Sequence, residues 1–147
     1  MRSVRVLLLW MFAAVALLVP TAPAQGASFV ARLNASGHHP EAGKSWPIRV
    51  SARTRSGRAL RARAHYEFYF RGQRVSIQYP NPGTRPGRCR VGRRGCRRSP
   101  YPFRGSFRDR SIAWPARAIG YRLTFRVVVS VRGRGTRRLD YWVRVRR

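Results

Sequence analysis

Tyr121-Arg122-Leu123-Thr124-Phe125-Arg126-Val127-Val128-Val129-Ser130-Val131-Arg132 sets the fold class. Apolar side chains recur at every second position, from Tyr121 through Leu123, Phe125, Val127 and Val129 to Val131. That period of two belongs to a β-strand with one buried face, because successive side chains of a strand point to opposite sides. Gly133-Arg134-Gly135 follows, and then Leu139, Tyr141, Val143 and Val145 repeat the alternation. A three-residue Gly133-Arg134-Gly135 loop, with Gly135 left-handed, would close the two into a hairpin. It would set Arg126 opposite Trp142, as a cation–π pair, and Arg122 opposite Arg146, as a like-charge pair.

Upstream the same period returns. Ile48–Arg53 alternates strictly, Ala64, Tyr66, Phe68 and Phe70 share one face, and Val75, Ile77 and Tyr79 share another. Ser28–Asn34 and Phe103–Arg108 carry weaker strand signals, and Ile112–Pro115 suits a short strand or a single helical turn. Turn residues separate the runs at Ser56-Gly57, Arg71-Gly72 and Asn81-Pro82-Gly83. Past the N-terminal segment, apolar residues nowhere follow helical spacing. The expectation is an all-β chain, a single antiparallel β-sandwich of about seven strands.

The first residues are of another kind. Arg2 and Arg5 precede an apolar run from Val6 to Val19, then Pro20 and the small residues Ala22 and Ala24. A positive start, a short apolar stretch and an A-x-A-like site are the parts of a cleavable signal peptide. Residues 1–24 are therefore expected to be removed, with Ala27 as the second choice of cut, leaving residues 25–147 as one secreted domain. The apolar run has 14 residues, short of the roughly 20 a membrane-spanning helix needs, and no later stretch is long enough to span. The expected location is extracellular or in the cell envelope.

Charge is the other dominant feature. The chain has 32 basic residues against four acids, Glu41, Glu67, Asp109 and Asp140, for a formal charge of +28. Loss of Arg2 and Arg5 with the leader lowers this by only two. Such a chain repels itself unless counter-ions or an anionic partner screen it. The partners this implies are an anionic envelope polymer, an acidic lipid surface or an acidic protein. Nucleic acid ranks below them because export removes the chain from intracellular nucleic acid. A solvated basic surface on a structural domain without a dedicated ligand is the plainest alternative.

Residues 80–102 concentrate this charge in a Pro-, Gly- and Arg-rich loop with almost no apolar content, and no acid occurs from Phe68 to Arg108. In an exported chain Cys89 and Cys96 most simply form a disulfide. The stapled loop makes Arg85, Arg88, Arg90, Arg93, Arg94, Arg97 and Arg98 the leading candidates for anion binding, because ordered arginines lose less entropy on binding. Arg122, Arg126 and Arg146 on the final hairpin are a second candidate group.

Catalysis has little to build on. Paired carboxylates for glycoside hydrolysis must stand about 5–10 Å apart, and the four acids are scattered in sequence. Glu67 and Asp140 face outward by parity, where neighbouring arginines can pair with them. His38-His39-Pro40-Glu41 makes a poor chelate, since adjacent histidines diverge, and no serine lies in a G-x-S-x-G setting. No catalytic residue, metal site or cofactor is assigned, and the expected role is non-enzymatic.

Strand count, domain size and closing hairpin resemble an immunoglobulin-like or fibronectin-III-like β-sandwich, a module widespread in secreted bacterial proteins. Tyr121, after Gly120, is similar to the tyrosine corner of those folds, while Leu123 stands where an antibody domain would carry a cysteine. The resemblance implies adhesion, scaffolding or ligand presentation.

Overall fold

The computed structural model describes residues 27–89 and 92–147. The signal peptide expected at residues 1–24 lies outside the described residues. Eight strands make up the described fold: β1 (Val30–Ala35), β2 (Ile48–Arg53), β3 (Arg61–Phe70), β4 (Gln73–Gln78), β5 (Tyr101–Arg104), β6 (Ser106–Asp109), β7 (Arg122–Val131) and β8 (Gly135–Arg144). A three-stranded sheet β1-β2-β6 packs on a sheet ordered β4-β3-β7-β8, in which β5 also pairs with β3. All strand pairs are antiparallel. The chain is an all-β sandwich.

Alternation produces this packing directly. Val50 and Ala52 of one sheet and Ala64, Tyr66, Phe125, Val127, Val129 and Val143 of the other are at most 1% exposed. Phe125 sits at the centre of an aromatic cluster, with ring centroids 5.1 Å from Tyr66, 5.2 Å from Trp46 and 5.3 Å from Phe68. Edge-to-face and tilted contacts at these separations add stability beyond the area buried.

One polar group crosses the interior. Asp109, at the end of β6, is fully buried. Its Oδ2 accepts a hydrogen bond from the Tyr66 hydroxyl on β3 (2.9 Å), and its Oδ1 accepts from the backbone N–H (2.8 Å) and hydroxyl (2.6 Å) of Ser111. Burial, together with the charge and hydrogen bond of Asp109, pushes the Tyr66 pKa well above its ordinary value. A carboxylate so placed is stable only with its lone pairs occupied, so this linkage fixes how the two sheets sit on each other.

The structure corrects four readings of the sequence. The β7–β8 hairpin pairs Arg126 with Asp140 and Arg122 with Arg144, two residues out from the pairing expected with Trp142 and Arg146. Its loop is Arg132-Gly133-Arg134, and left-handed Gly135 (φ 87°) already pairs with Val131 as the first residue of β8. The inward faces survive because a slip of two preserves parity. Tyr121 is 51% exposed and packs edge-on against Phe70 at 5.3 Å, and its hydroxyl makes no tyrosine-corner hydrogen bond among the described residues. On β4 a bulge at Val75 shifts the register, so Ser76 pairs with Phe68 and Ile77 with Glu67. Ser76, not Ile77, therefore shares the inner face, and Val75 is 59% exposed. Phe103–Arg108 is not one strand but two, because Gly105 (φ 72°) turns the chain from one sheet to the other. A Cβ at Gly105 would come within 3.0 Å of the Ala59 Cβ.

Ile112–Pro115 forms isolated bridges, Ala113 to Ser45 and Trp114 to Ala42, and leads into a 3-10 turn at Ala116–Ala118. Residues 38–42 run beside β8, with the His38 and Pro40 carbonyls accepting from Arg144 and Arg146 N–H, both at 2.8 Å. They cover an edge that would otherwise invite strand addition.

Tyr66→Phe should lower unfolding free energy by about 1.5–3 kcal/mol, the range for a hydrogen bond to a charged group, while Tyr79→Phe, whose hydroxyl makes no such bond across the sheets, should cost well under half of that. Urea titration of both variants measures the difference.

Candidate anion-binding surface

Each of the four carboxylates is engaged within the fold. Glu41 pairs with Lys44, and Asp109 is held between the sheets as described. Glu67 and Asp140 lie on the outer face of the larger sheet in one cross-strand row, Glu67–Arg126–Asp140. Arg126 grips Asp140 with two hydrogen bonds of 2.6 and 2.8 Å, donates to the Tyr69 hydroxyl at 3.0 Å, and lies 3.9 Å from Glu67. Its guanidinium also sits over the Tyr69 ring, 4.6 Å from the centroid. Glu67 accepts from the Tyr69 hydroxyl (2.7 Å) and from Arg74 (3.0 Å). Both acids thus lie on the outer face and pair with arginines, as parity indicates, but Glu67 is covered by its partners and only 7% exposed.

The hydrogen bonds from Arg126 hold the Asp140 carboxyl below its usual pKa. Burial opposes ionisation of Glu67, but hydrogen bonds from Tyr69, Arg74 and His65 outweigh it and lower that pKa as well. The Arg126 guanidinium is held more firmly protonated, chiefly by its hydrogen bonds to Asp140.

With the acids so used, Arg74 and Arg126 are the only arginines among the described residues within 4.0 Å of a carboxylate. Other arginines face each other. Arg49 lies opposite Arg108 on β2 and β6, Arg61 opposite Arg104 on β3 and β5, and Arg122 opposite Arg144 on β7 and β8. Directly opposed like charges each destabilise a sheet by a few tenths of a kcal/mol, about 1 at most. The outer face of the smaller sheet carries Arg32, Arg49, Arg53 and Arg108 without any acid. These arginines stand on neighbouring strands about 4.8 Å apart, Arg49 also reaching the Ser106 hydroxyl (3.4 Å) and Arg53 the Gly57 carbonyl (2.9 Å).

The loop arginines stand on an ordered frame. The Cys89–Cys96 disulfide is formed. Asn81 ties the two ends of the loop, donating to the Tyr79 carbonyl (2.8 Å) and accepting from Arg97 N–H (3.0 Å). Arg93 donates to the Arg88 carbonyl at 3.0 Å, and Arg97 lies over the Tyr101 ring at 5.0 Å. Arg85, Arg88, Arg93, Arg94, Arg97 and Arg98 are all exposed; Arg90 lies outside the described residues.

Not all the sequence candidates come together. The loop joins β4 to β5, which flank β3 on the side away from β7, whereas Arg122, Arg126 and Arg146 belong to the β7–β8 side. Arg126 is occupied by Asp140 and Tyr69. Arg122 lies over the Trp142 ring, 5.0 Å from its centroid, and takes the partner expected for Arg126. Arg146 is exposed at the chain's end. The array on the smaller sheet was missed by the sequence reading, although Arg49 and Arg53 showed their outward parity. Their neighbour β6 is remote in sequence, so the opposition of Arg49 and Arg108 could not be read from either strand alone.

The histidines are otherwise employed. His38 stacks on Tyr141 and Trp142 at 4.2 and 4.1 Å, with its Nδ1 2.7 Å from the Trp142 carbonyl oxygen. Among the described residues no three His, Cys, Asp or Glu side chains group to hold a metal, and no helix is long and apolar enough to cross a membrane. Comparison with protein families, characterised proteins and solved structures found no match to this chain.

Glu67 and Asp140 both titrate lower in the fold than in the unfolded chain, where Glu and Asp ionise near about 4.3 and 3.9. Their stabilisation is therefore present at neutral pH and lost as pH falls below that range. Asp140→Asn should cost up to about 1 kcal/mol at pH 7 and flatten the acid limb, so that the variant and the parent converge near pH 3. Thermal melts from pH 7 to 3 measure the convergence.

Proposed function

We propose that this chain is a secreted, non-enzymatic, immunoglobulin-like or fibronectin-III-like module that docks through arginines on an anionic polymer of the cell envelope. The observation that carries the reading is the commitment of every acidic side chain to an internal partner, beside three opposed arginine pairs with no carboxylate within 4.0 Å among the described residues. Such pairs are neutralised only from outside, and a polymer with repeating negative charge supplies anions at spacings an array can follow. Phosphate and carboxylate groups suit the arginine fork, which binds them with two parallel hydrogen bonds.

The strand order supports the module type. The sheet β1-β2-β6 facing β4-β3-β7-β8 is similar to the A-B-E and C′-C-F-G arrangement of such sandwiches, with β5 added beside β3. Secretion rests on the leader sequence and agrees with the disulfide.

Nucleic acid outside the cell is the second reading, favoured by Trp142 and Tyr69 among arginines on the outer face of the larger sheet. Arginine with aromatic residues is the composition of single-strand binders. Trp142 already stacks on His38 and lies under Arg122, which leaves little ring for a base and places this reading second.

Retention on immobilised poly(glycerol phosphate), a phosphodiester polymer without bases, and on single-stranded DNA separates the two. A steep fall of retention with salt on both supports binding by charge; a steep slope on DNA alone would overturn the envelope reading. Replacing Arg93, Arg94, Arg97 and Arg98 together by Ser should weaken retention on the base-free polymer with melting temperature near that of the parent. Arg49→Ser should weaken it while raising melting temperature slightly, since it removes one of two opposed charges.

A further inference from the structure

We propose that an open groove at the end of the larger sheet is a binding site for a single-chain amphiphile with an anionic headgroup. The groove has a volume of about 730 Å³, within the range of small-molecule sites. Phe68, Phe70, Leu123 and Trp114 supply its apolar lining. Its opposite wall is the segment from Ser111 to Ala118 with Gly87 and Cys89 of the disulfide loop. The Gly87 N–H donates to the Ser111 carbonyl at 2.8 Å, which fastens that wall.

Three observations distinguish this groove from an incidental cleft. Val75 and Tyr121, 59% and 51% exposed, are two of the four exposed large apolar side chains, and both line it. Clustered exposed apolar surface on a highly charged protein marks a place where something apolar is received. The charged side chains lining the groove are Arg71 and Arg117, both exposed, so it offers positive charge with no carboxylate. Trp114 is 3% exposed, and its Nε1 donor has no acceptor among the described residues.

Arg71 adds the strongest sign. It is the one described non-glycine residue with positive φ, at 49°, in a two-residue turn with Gly72 where Asn, Asp or Gly is the ordinary choice. An arginine there is strained, and strained residues concentrate at binding sites. Its guanidinium lies 5.1 Å from the Phe70 ring centroid, at the border of the apolar lining. A chain lying on Phe68, Phe70 and Leu123 would thus place a carboxylate or phosphate within the reach of arginine. This site is independent of the polymer reading, which uses other arginines.

Calorimetric titration of the secreted chain with palmitate and with a lysophosphatidic acid of equal chain length, below micellar concentration, tests the site. Hexadecyltrimethylammonium is the cationic control. One-to-one binding of either anion, with the tighter one identifying the headgroup, and none of the cation, is expected. Arg71→Gly relieves the turn, so it should keep the parent's melting temperature or raise it, yet bind the anionic amphiphile about tenfold more weakly. Arg138→Gln, the same charge loss on the outer face, should bind as the parent does, as should the Ser-substituted loop variant. Equal binding of the cation, equal weakening by Arg138→Gln, unchanged affinity in Arg71→Gly, or no binding of either anion would overturn the proposal.

Discussion

Asp109 is the carboxylate that both sheets share, and the rest of the architecture is arranged around its satisfaction. It stands at the last position of β6, opposite Ile48 on one sheet, and takes the Tyr66 hydroxyl from the other. Tyr66 in turn lies against Phe125, and Phe125 against Trp46 and Phe68, so the polar link and the aromatic centre hold one another in place. Ser111 donates twice to the other carboxylate oxygen, Oδ1, and leads the chain into the Trp114 segment. That segment covers the part of the larger sheet that the three-stranded sheet does not reach, and so forms one wall of the groove.

Scarcity of acid gives this arrangement its functional consequence. A chain with 32 basic residues and four acids can neutralise few of its own charges. It places one acid between the sheets and two in the Arg126 row, where Arg74, Glu67, Arg126 and Asp140 alternate in sign. Around that row the arginines meet each other across strands. The outer surface is accordingly divided between a small self-neutralised centre and larger basic areas: the array on the smaller sheet and the stapled loop at the edge of the larger one. Those areas, and not Arg126, have charge to offer a partner.

Much of the fold was legible because strand parity is a local property. Phe125, Val127, Val129 and Val131 had to share a face, and the face had to be buried. Asp109 has the parity of Phe107, a sign of its burial that the sequence reading, which ended the strand at Arg108, did not use. Register is less local. It was missed by two residues in the β7–β8 hairpin because two glycines, Gly133 and Gly135, both take positive φ and the choice between loops of equal length lies in their order. On β4 the bulge at Val75 reversed the faces, a change that depends on the pairing with Phe68 and Tyr69 and leaves no trace in alternation. The loop arginines were visible as composition. The opposed pairs were not, since Arg49 and Arg108 lie far apart in sequence, and the groove combines β3, β4, β7 and two connecting segments.

Thermal melting in the presence of a polyanion tests most directly whether the surface arginines lack internal counter-charge and take it from a partner. At about 0.15 M sodium chloride, where exposed charges are largely screened beyond about 8 Å, micromolar polyphosphate should raise the melting temperature by about 5 °C, through mass action on the folded state. Chloride added to the same ionic strength should raise it much less. An equal rise with chloride, or none with polyphosphate, would contradict a surface built to be completed by an anionic polymer.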